Sequence, residues 1–452
     1  MSKFSNKVKN LFHSIQGVAA EAYYGLPYKK LKFIAVTGTD GKTTTTQMIY
    51  HILSSNNFRV AYLSTISAKI NGVDYDTGFH VTTPDPWILP KYLKQMVDAN
   101  VEFVVLETTS QGLEQNRTIL IPFEASVITN IKSDHLDYHK TWENYARAKF
   151  RIVEKTKDGG VVAINQDDKK LFSWIKEKFS QANARGKIIN WFSASEAENL
   201  KQDINALSFD YQGQRFEVPI IGRFNLNNIL AAIKITQKYI GLEKIAKSLL
   251  TFKAPKGRME VLVTKPFTTI IDFAHTPNAL DSALNALIEI KEANSRIICV
   301  YGCAGKRDKD RRKMGAVSAR LADITILTAE DPRDENLKDI NDEIIEHAKK
   351  EGAKVLKRFA TREEYSKMEI KNVLKEIDEV SNKDKKSAIL FAFDENKNNS
   401  REDAIDFALK IAKKGDIVFF TGKAHEQSLA FGVTEYPWDE HKKVNMYLSR
   451  LK

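Results

Sequence analysis

The segment FIAVTGTDGKTTTTQMIYHIL, residues 33–53, joins a hydrophobic run to a helical pattern through Gly38, Thr39, Asp40 and Gly41. Lys42, Thr43 and Thr44 follow directly. Glycines let backbone N–H groups close on phosphate oxygens, and the N-terminus of the next helix adds positive potential. Lys42 is placed to neutralise β- and γ-oxygens, and the Thr43 hydroxyl suits Mg²⁺. The usual phosphate loop reads G-x-x-x-x-G-K-[ST]. Here Val36 stands where the first glycine belongs, and Gly38 lies only three residues before Gly41. Taken alone, this shortened loop indicates nucleotide binding and no more.

Two further groups bear on phosphate chemistry. Glu107 closes the run VEFVVLE, and Asp134 and His135 follow the run ASVITN. A carboxylate and a neutral imidazole converging on the loop would form a second cation site. Lys149, in YARAKF, has by itself only the look of a lysine on a helix surface.

Positioning these groups falls to short β-branched runs that alternate with amphipathic stretches. KFIAVTG, VEFVVLE, ASVITN and GGVVAIN read as buried strands, and PWILPKYLKQMVDA as a helix between them. Such alternation implies an α/β domain with a mostly parallel sheet. Ligands in such sheets sit beyond the carboxyl ends of the strands, where Thr37, Glu107, Asn130 and Asn165 fall. A second series, TTIIDFAH, RIICVYG, DITILTAED, SAILFAF and DIVFFTGK, begins near residue 260, with SLLTFKAPKGRME as the linker. Residues 375–402, rich in lysine and asparagine, are expected to form a solvated loop.

The 452 residues suffice for two or three domains with ample core. Hydrophobic content of 42% and charged content of 28% are those of a soluble globular protein. No run reaches the roughly 20 apolar residues of a membrane-spanning helix. The net charge of +11 comes from scattered lysines without an aromatic-interleaved patch, so nucleic acid is not the expected partner. Cys299 and Cys303 cannot build a disulfide framework, which suits a reducing cytoplasm, and no second pair of metal ligands accompanies them. At the N-terminus, Phe4, Val8, Leu11, Phe12, Ile15, Ala19 and Ala22 recur at helical spacing. That pattern predicts a helix packed through its apolar face on the domain behind it, with a peripheral membrane helix as the alternative that neither its length nor flanking aromatics support.

The ordered series G-T-x-G-K-T-T, E-x-x-S-x-G-L, T-N-I-x-x-D-H-L-D-Y-H, A-K, G-x-F-N-x-x-N and D-F-A-H-T-P resembles the Mur ligase family from about residue 17 to the C-terminus. The shortened loop is that family's own form. VTTPDP (81–86), ETTSQGLEQNR (107–117), GRME (257–260), GCAGKRDKDRRKMG (302–315), EDPR (330–333) and GKAHE (422–426) are most like its MurE branch, the UDP-N-acetylmuramoyl-dipeptide:amino-acid ligases. The resemblance implies a central P-loop ATPase domain at 31–256 and a C-terminal Rossmann-like Mur ligase domain at 257–452. Residues 1–30 remain as an amphipathic helix and lead-in.

By resemblance, ATP and Mg²⁺ are the cofactors, with Thr43, Glu107 and His135 as metal-site residues. Lys149 matches the lysine that the family carries as a carbamate, formed from CO₂, and it too serves the metal site. Asn225 and Asn228 match the adenine-side motif. Arg258, Asp272 and His275 match positions where the C-terminal domain closes over ATP. Thr82, Thr83, Thr109, Gln115 and Arg117 match acceptor-contacting positions, with Val81 where asparagine is common and Thr109 where serine is. Arg307, Glu330, Asp331, Arg333, Gly422 and Glu426 match the amino-acid site, with Glu330-Asp331 where Asp-Asn is commoner. The Arg333 guanidinium favours an amino acid with a distal carboxylate, meso-diaminopimelate over lysine.

MurE-type ligases also carry an N-terminal domain for the uridine diphosphate end. The roughly 31 residues ahead of the loop strand are too few for it, so uridine recognition is the part of the activity not expected here. The expected activity is ATP-dependent amide-bond formation in peptidoglycan synthesis, by a cytoplasmic monomer acting on small molecules. Two alternatives stay open: a ligase for another carboxylate, such as a polyglutamate or cyanophycin-like chain, and an ATP-binding subunit that acts only with a partner.

Overall fold

A computed structural model describes residues 3–75, 84–132, 136–181, 186–307, 309–383 and 388–451. The chain divides into two compact units. The first comprises 1–201, 205–219 and 223–255, and the second 202–204, 220–222 and 256–452.

In the first unit the described strands are β1 (Lys32–Thr37), β2 (Val60–Leu63), β3 (Ala68–Ile70), β4 (Val73–Tyr75), β5 (Phe103–Glu107), β6 (Phe123–Ile128), β7 (Thr156–Asn165) and β8 (Ile188–Phe192). They form a sheet of order β4-β3-β2-β5-β1-β6-β7-β8, in which every pairing is parallel except the two made by β3 near one edge. The apolar runs predicted as strands are these central ones. Every residue of β5 is buried, as is β1 after Lys32, as expected of a parallel sheet covered on both faces. Strand β1 lies between β5 and β6, with Val36 opposite both Glu107 and Val127. A small antiparallel sheet adds β9 (Glu198–Gln202), β10 (Leu207–Tyr211) and β11 (Gln214–Val218). Helices α1 (Lys3–Tyr23), α2 (Lys42–Ser55), α3 (Ile88–Asp98), α4 (Ser110–Glu114), α5 (Leu136–His139), α6 (Trp142–Glu154), α7 (Lys169–Gln181), α8 (Asn225–Thr236) and α9 (Leu242–Leu249) complete the unit.

Helix α1 reverses the expected packing. From residue 12 onward it meets the body through Ser14, Gly17, Ala20 and Glu21. Asn116 donates to Ser14 Oγ at 3.1 Å, and Gly17 faces Ile119 and Pro86. Phe12, Ile15, Ala19 and Ala22 point away from the body. Small residues on the polar side allow a close approach that phenylalanine and isoleucine would prevent.

The second unit has β12 (Glu260–Val263), β13 (Thr268–Ile271), β14 (Ile297–Tyr301), β15 (Ile324–Leu327), β16 (Lys354–Phe359), β17 (Ile389–Phe393) and β18 (Ile417–Phe420) in the order β12-β13-β18-β14-β15-β17-β16. Only β12 is antiparallel. A hairpin of β19 (Ser428–Phe431) and β20 (Thr434–Pro437) stands apart from that sheet. The helices are α10 (Pro277–Ile290), α11 (Met314–Leu321), α12 (Leu337–Lys350), α13 (Arg362–Ser366), α14 (Ile370–Lys383), α15 (Ser400–Ile411) and α16 (Glu440–Arg450).

The expectation of a solvated loop at 375–402 is wrong, because α14, β17 and the start of α15 occupy it. Lysine-rich composition concealed an amphipathic stripe. Val373 and Ile377 are buried, and Leu374 and Val380 pack against the same core.

One charged pair sits at the heart of the second unit. The Arg401 and Glu440 side chains are both fully buried, joined through Arg401 Nε to Oε2 at 2.9 Å and Nη2 to Oε1 at 2.6 Å. The remaining guanidinium donors reach Ala329 O at 3.1 Å and Thr421 O at 2.8 Å, and Trp438 Nε1 donates to Glu440 Oε2 at 2.7 Å. The pair thus fastens α15 and α16 to the chain just beyond β15 and β18. Substituting Arg401→Met strands a buried carboxylate. It should lower the stability of this unit by about 3–5 kcal/mol, read as a fall in its urea midpoint.

Candidate active site

Beyond the carboxyl end of β1, residues 38–41 turn into α2. Gly41 caps that helix at φ 80°, a left-handed conformation that favours glycine. A Cβ there would collide with Asn228 Oδ1, and one on Gly38 would collide with Thr129 Oγ1. Both glycines are therefore fixed by close approach as well as by turn geometry.

The loop is held from outside. Asn130 O accepts from Thr39 N at 2.9 Å, Asn130 Oδ1 from Asp40 N at 2.9 Å, and Asn130 Nδ2 donates to Asp40 O at 3.1 Å. Thr129 Oγ1 also donates to Asp40 O, at 2.5 Å. Lys132 Nζ lies 3.2 Å from Asp40 Oδ2. Lys42 Nζ donates to Thr39 O at 2.9 Å, keeping its ammonium over the loop.

Glu107 lies beside this loop with about 1% exposure. Its carboxylate accepts three hydrogen bonds: Thr43 Oγ1 at 3.0 Å, Thr65 N at 3.0 Å and Thr65 Oγ1 at 2.8 Å. Thr43 and Glu107 are thus brought together as hard oxygen donors, which fits Mg²⁺. Among the described residues no group of three or more His, Cys, Asp or Glu could hold a metal by itself.

Lys149 is no surface lysine. It is buried on α6, its Nζ donating to Gly38 O at 2.6 Å and sitting 4.6 Å from the Tyr145 ring centroid. Asn225 and Asn228 are buried on α8 and bonded to each other at 2.8 Å, and Thr45 Oγ1 reaches Asn228 Oδ1 at 3.4 Å. Their place is therefore against the loop and the first turn of α2. Thr44 is buried within that turn.

The acceptor candidates Gln115 and Arg117 come together. Arg117 Nη2 donates to Gln115 Oε1 at 2.8 Å, and Gln115 Nε2 donates to Tyr138 OH at 3.3 Å. Thr109 caps α4, accepting from Gly112 N at 2.9 Å. Val81, Thr82, Thr83, Asp134 and His135 lie outside the described residues.

In the second unit the end of β13 carries Asp272. Its carboxylate accepts from Met259 N at 2.8 Å and Ala274 N at 2.7 Å, while burial pushes its pKa up against the pull of Arg258. The Arg258 guanidinium lies 4.8 Å from the Phe273 ring, and His275 and His425 flank that ring at 4.4 and 4.6 Å. The His425 pKa is held well below its ordinary value by burial and by neighbouring Arg258 and His275.

The candidates for the amino-acid site gather at the ends of β15 and β18. Lys423, fully buried, reaches Asp331 Oδ1 at 2.8 Å and Glu426 Oε2 at 2.6 Å. Arg333 Nη1 donates to Gly305 O at 3.2 Å, with its Nη2 3.9 Å from Asp331. A Cβ on Gly422, whose φ is 99°, would press on Glu330 Oε2. Arg307 lies exposed in the loop after β14. Sequence reasoning passed over Thr65 and Lys423. Lys423 is the one cation inside GKAHE, at the end of an apolar strand, and that position was its signal.

A glycine-bounded turn into a helix N-terminus, beside a buried acid and at the carboxyl edge of a parallel sheet, has the make-up of a nucleotide-phosphate site. The comparisons agree. The Mur ligase middle domain model matches residues 36–236, and that of the Mur ligase glutamate ligase domain matches 257–383. The UDP-N-acetylmuramoyl-L-alanyl-D-glutamate--2,6-diaminopimelate ligase of Chlamydia felis is 30% identical over 441 residues, covering 96% of this chain and 81% of that protein. Its namesake from Fusobacterium nucleatum is 32% identical over 445 residues, with the same coverage. A solved structure under the same name aligns with TM-score 0.61 and 27% identity over 98% of this chain and 83% of that one. The folylpolyglutamate synthase of Mycobacterium tuberculosis, with TM-score 0.64 but 16% identity over 90% of this chain and 92% of that one, shares the fold. The chain belongs to the Mur ligase family and is an ATP-dependent ligase.

Glu330 supplies a test of the second unit's site. Burial raises its pKa from 4.5 to about 7, with Arg311 opposing and Glu426 reinforcing the shift, and its Oε2 has no hydrogen-bond partner. A carboxyl raised in the folded state takes up protons on folding, so its contribution falls as pH climbs from about 4.5 to about 7. Glu330→Gln removes that loss. Its melting temperature relative to wild type should therefore rise between pH 5 and pH 8; a constant difference would place the carboxylate in contact with solvent.

Proposed function

We propose that this protein adds meso-diaminopimelate to a muramoyl-dipeptide precursor of peptidoglycan, through an acyl phosphate. The observation that carries this reading is the Thr43–Glu107–Lys42 cluster on the shortened loop, in a chain aligned almost end to end with relatives named for that reaction. ATP and the soluble precursor make the cytoplasm the place of reaction, and the chain is read as a monomer.

The acceptor carboxylate attacks the γ-phosphorus, ADP leaves, and the amine then displaces phosphate from the acyl phosphate. Such transfer needs charge stabilisation on the phosphoryl oxygens and alignment of the reactants. Lys42 and the N–H groups of residues 41–43, at the start of α2, supply the charge. Thr43, Glu107 and His135 would hold Mg²⁺, which neutralises the phosphate oxygens when bound. Lys149, buried beside Gly38, is read as a carbamate donor to the same region. Asn225 and Asn228, packed against the first turn of α2, are read as the adenine-side residues, while Arg258, Asp272 and His275 are the ATP-facing residues of the C-terminal domain.

Gln115, Arg117, Thr109, Thr82 and Thr83 orient the acceptor. Arg333, with Arg307, Glu330, Asp331, Gly422 and Glu426, receives the amino acid. Held by Gly305 O, the Arg333 guanidinium is suited to a distal carboxylate. The domain assignment is ATP binding for 31–256 and amino-acid binding for 257–452.

The test crosses UDP-linked and UDP-free muramoyl-dipeptide against diaminopimelate, lysine and glutamate while ADP release is followed. Release should require Mg²⁺, the acceptor and diaminopimelate together. Turnover with a folate or polyglutamate acceptor instead would overturn the substrate assignment. Lys42→Ala should lower kcat on the order of 10²-fold or more.

Lys149→Ala should be inactive and partly restored by a short carboxylate such as acetate. Normal kinetics in that variant would remove the lysine from the site.

A further inference from the structure

Helix α1 presents to solvent the face that a soluble helix normally hides. Phe12 is 58% exposed, Ile15 60%, Val18 44% and Tyr23 76%. The Tyr23 ring meets Trp87, itself 43% exposed, with centroids 6.1 Å apart, so the apolar stripe continues onto the N-terminus of α3. The helix is anchored on its other side through Ser14, Gly17, Ala20 and Glu21. The stripe is therefore a fixed outer surface and not a frayed end.

Charge identifies the occupant. Lys3, Lys7 and Lys9 lie in the first turns of α1, whose one acidic residue, Glu21, is buried. Lys29 and Lys30 are exposed just past the helix, and Lys91 lies exposed one turn after Trp87. The nearby acid, Asp85, is paired with Arg117 at 3.9 Å. An outward apolar stripe that ends in tyrosine and tryptophan and is accompanied by lysines is the make-up of a helix lying in a lipid interface. Yet no described helix is long and apolar enough to cross a membrane.

We propose that α1 seats this ligase on the surface of an anionic bilayer, its axis in the membrane plane, with Phe12, Ile15, Val18 and Trp87 inserted among the headgroups. Binding combines burial of these side chains with attraction of the lysines to acidic lipid, so it weakens as salt is added. The ligand class is an anionic phospholipid surface.

The test is flotation of the full chain with phosphatidylcholine vesicles that do or do not contain phosphatidylglycerol. The chain should float with the phosphatidylglycerol vesicles, and less in high salt. Phe12→Gln/Ile15→Gln keeps helix-forming residues in place and should weaken binding by about tenfold or more, with circular dichroism and ADP production unchanged. Lys29→Gln/Lys30→Gln should weaken it in low salt only. Failure of the wild-type chain to float, or equal flotation of Phe12→Gln/Ile15→Gln, overturns the proposal. So does a dimer in solution that this variant abolishes, since the face would then belong to a second copy.

Discussion

A carboxylate removed from water must be answered by hydrogen bonds, and at Glu107 this chain answers it with three donors from two threonines. Its two oxygens take donors from the first turn of α2 and from the segment after β2, so two connections that leave the sheet separately end on one group. With those donors supplied, the buried charge becomes a fixed point at the carboxyl edge of the sheet. The loop at 38–41 is then set against it by Asn130 and Thr129 from the other side of β1. The set of this loop is thus a by-product of parallel pairing, which brings three strand ends to one edge and leaves their polar groups to satisfy one another.

The second unit solves the same problem with paired charges. Around the ends of β15 and β18, Lys423 answers Asp331 and Glu426, while Arg333 is held by a backbone oxygen. Glu330 is the exception, a buried carboxyl with an oxygen left over. Functional sites tolerate such orphans because a ligand can complete them.

Much of this could be read from residue order. The apolar runs that end at Thr37, Glu107 and Asn165 are strands because continuous β-branched burial suits a parallel sheet, and the glycine-lysine turn marks its own position. What escaped reading was decided by tertiary neighbours. Periodicity gave α1 an apolar face but could not say which side meets the body; Gly17 and Ala20, small enough for close contact, decided that. In the 375–402 region, lysine and asparagine counts outweighed the spacing of Ile377 and Val380, which continues from Val373 just before it. The hairpin between β10 and β11 carried a usable signal. Gln212 and Gly213 both take positive φ, 49° and 76°, between alternating runs, as a two-residue turn requires. Thr65 had none, since a lone threonine acquires its role only from the acid placed opposite.

The closed circuit around Arg401 and Glu440 has a consequence for descent. Each member is held by the other and by backbone oxygens or the Trp438 indole, so an intermediate that has changed only one of them carries an unanswered charge in the core. Lineages can leave this arrangement only by replacing both residues at nearly the same time. These two positions, 39 residues apart in sequence, should therefore vary as a unit or stay unchanged, and their history records the packing of α15 on α16 more faithfully than the surface around them.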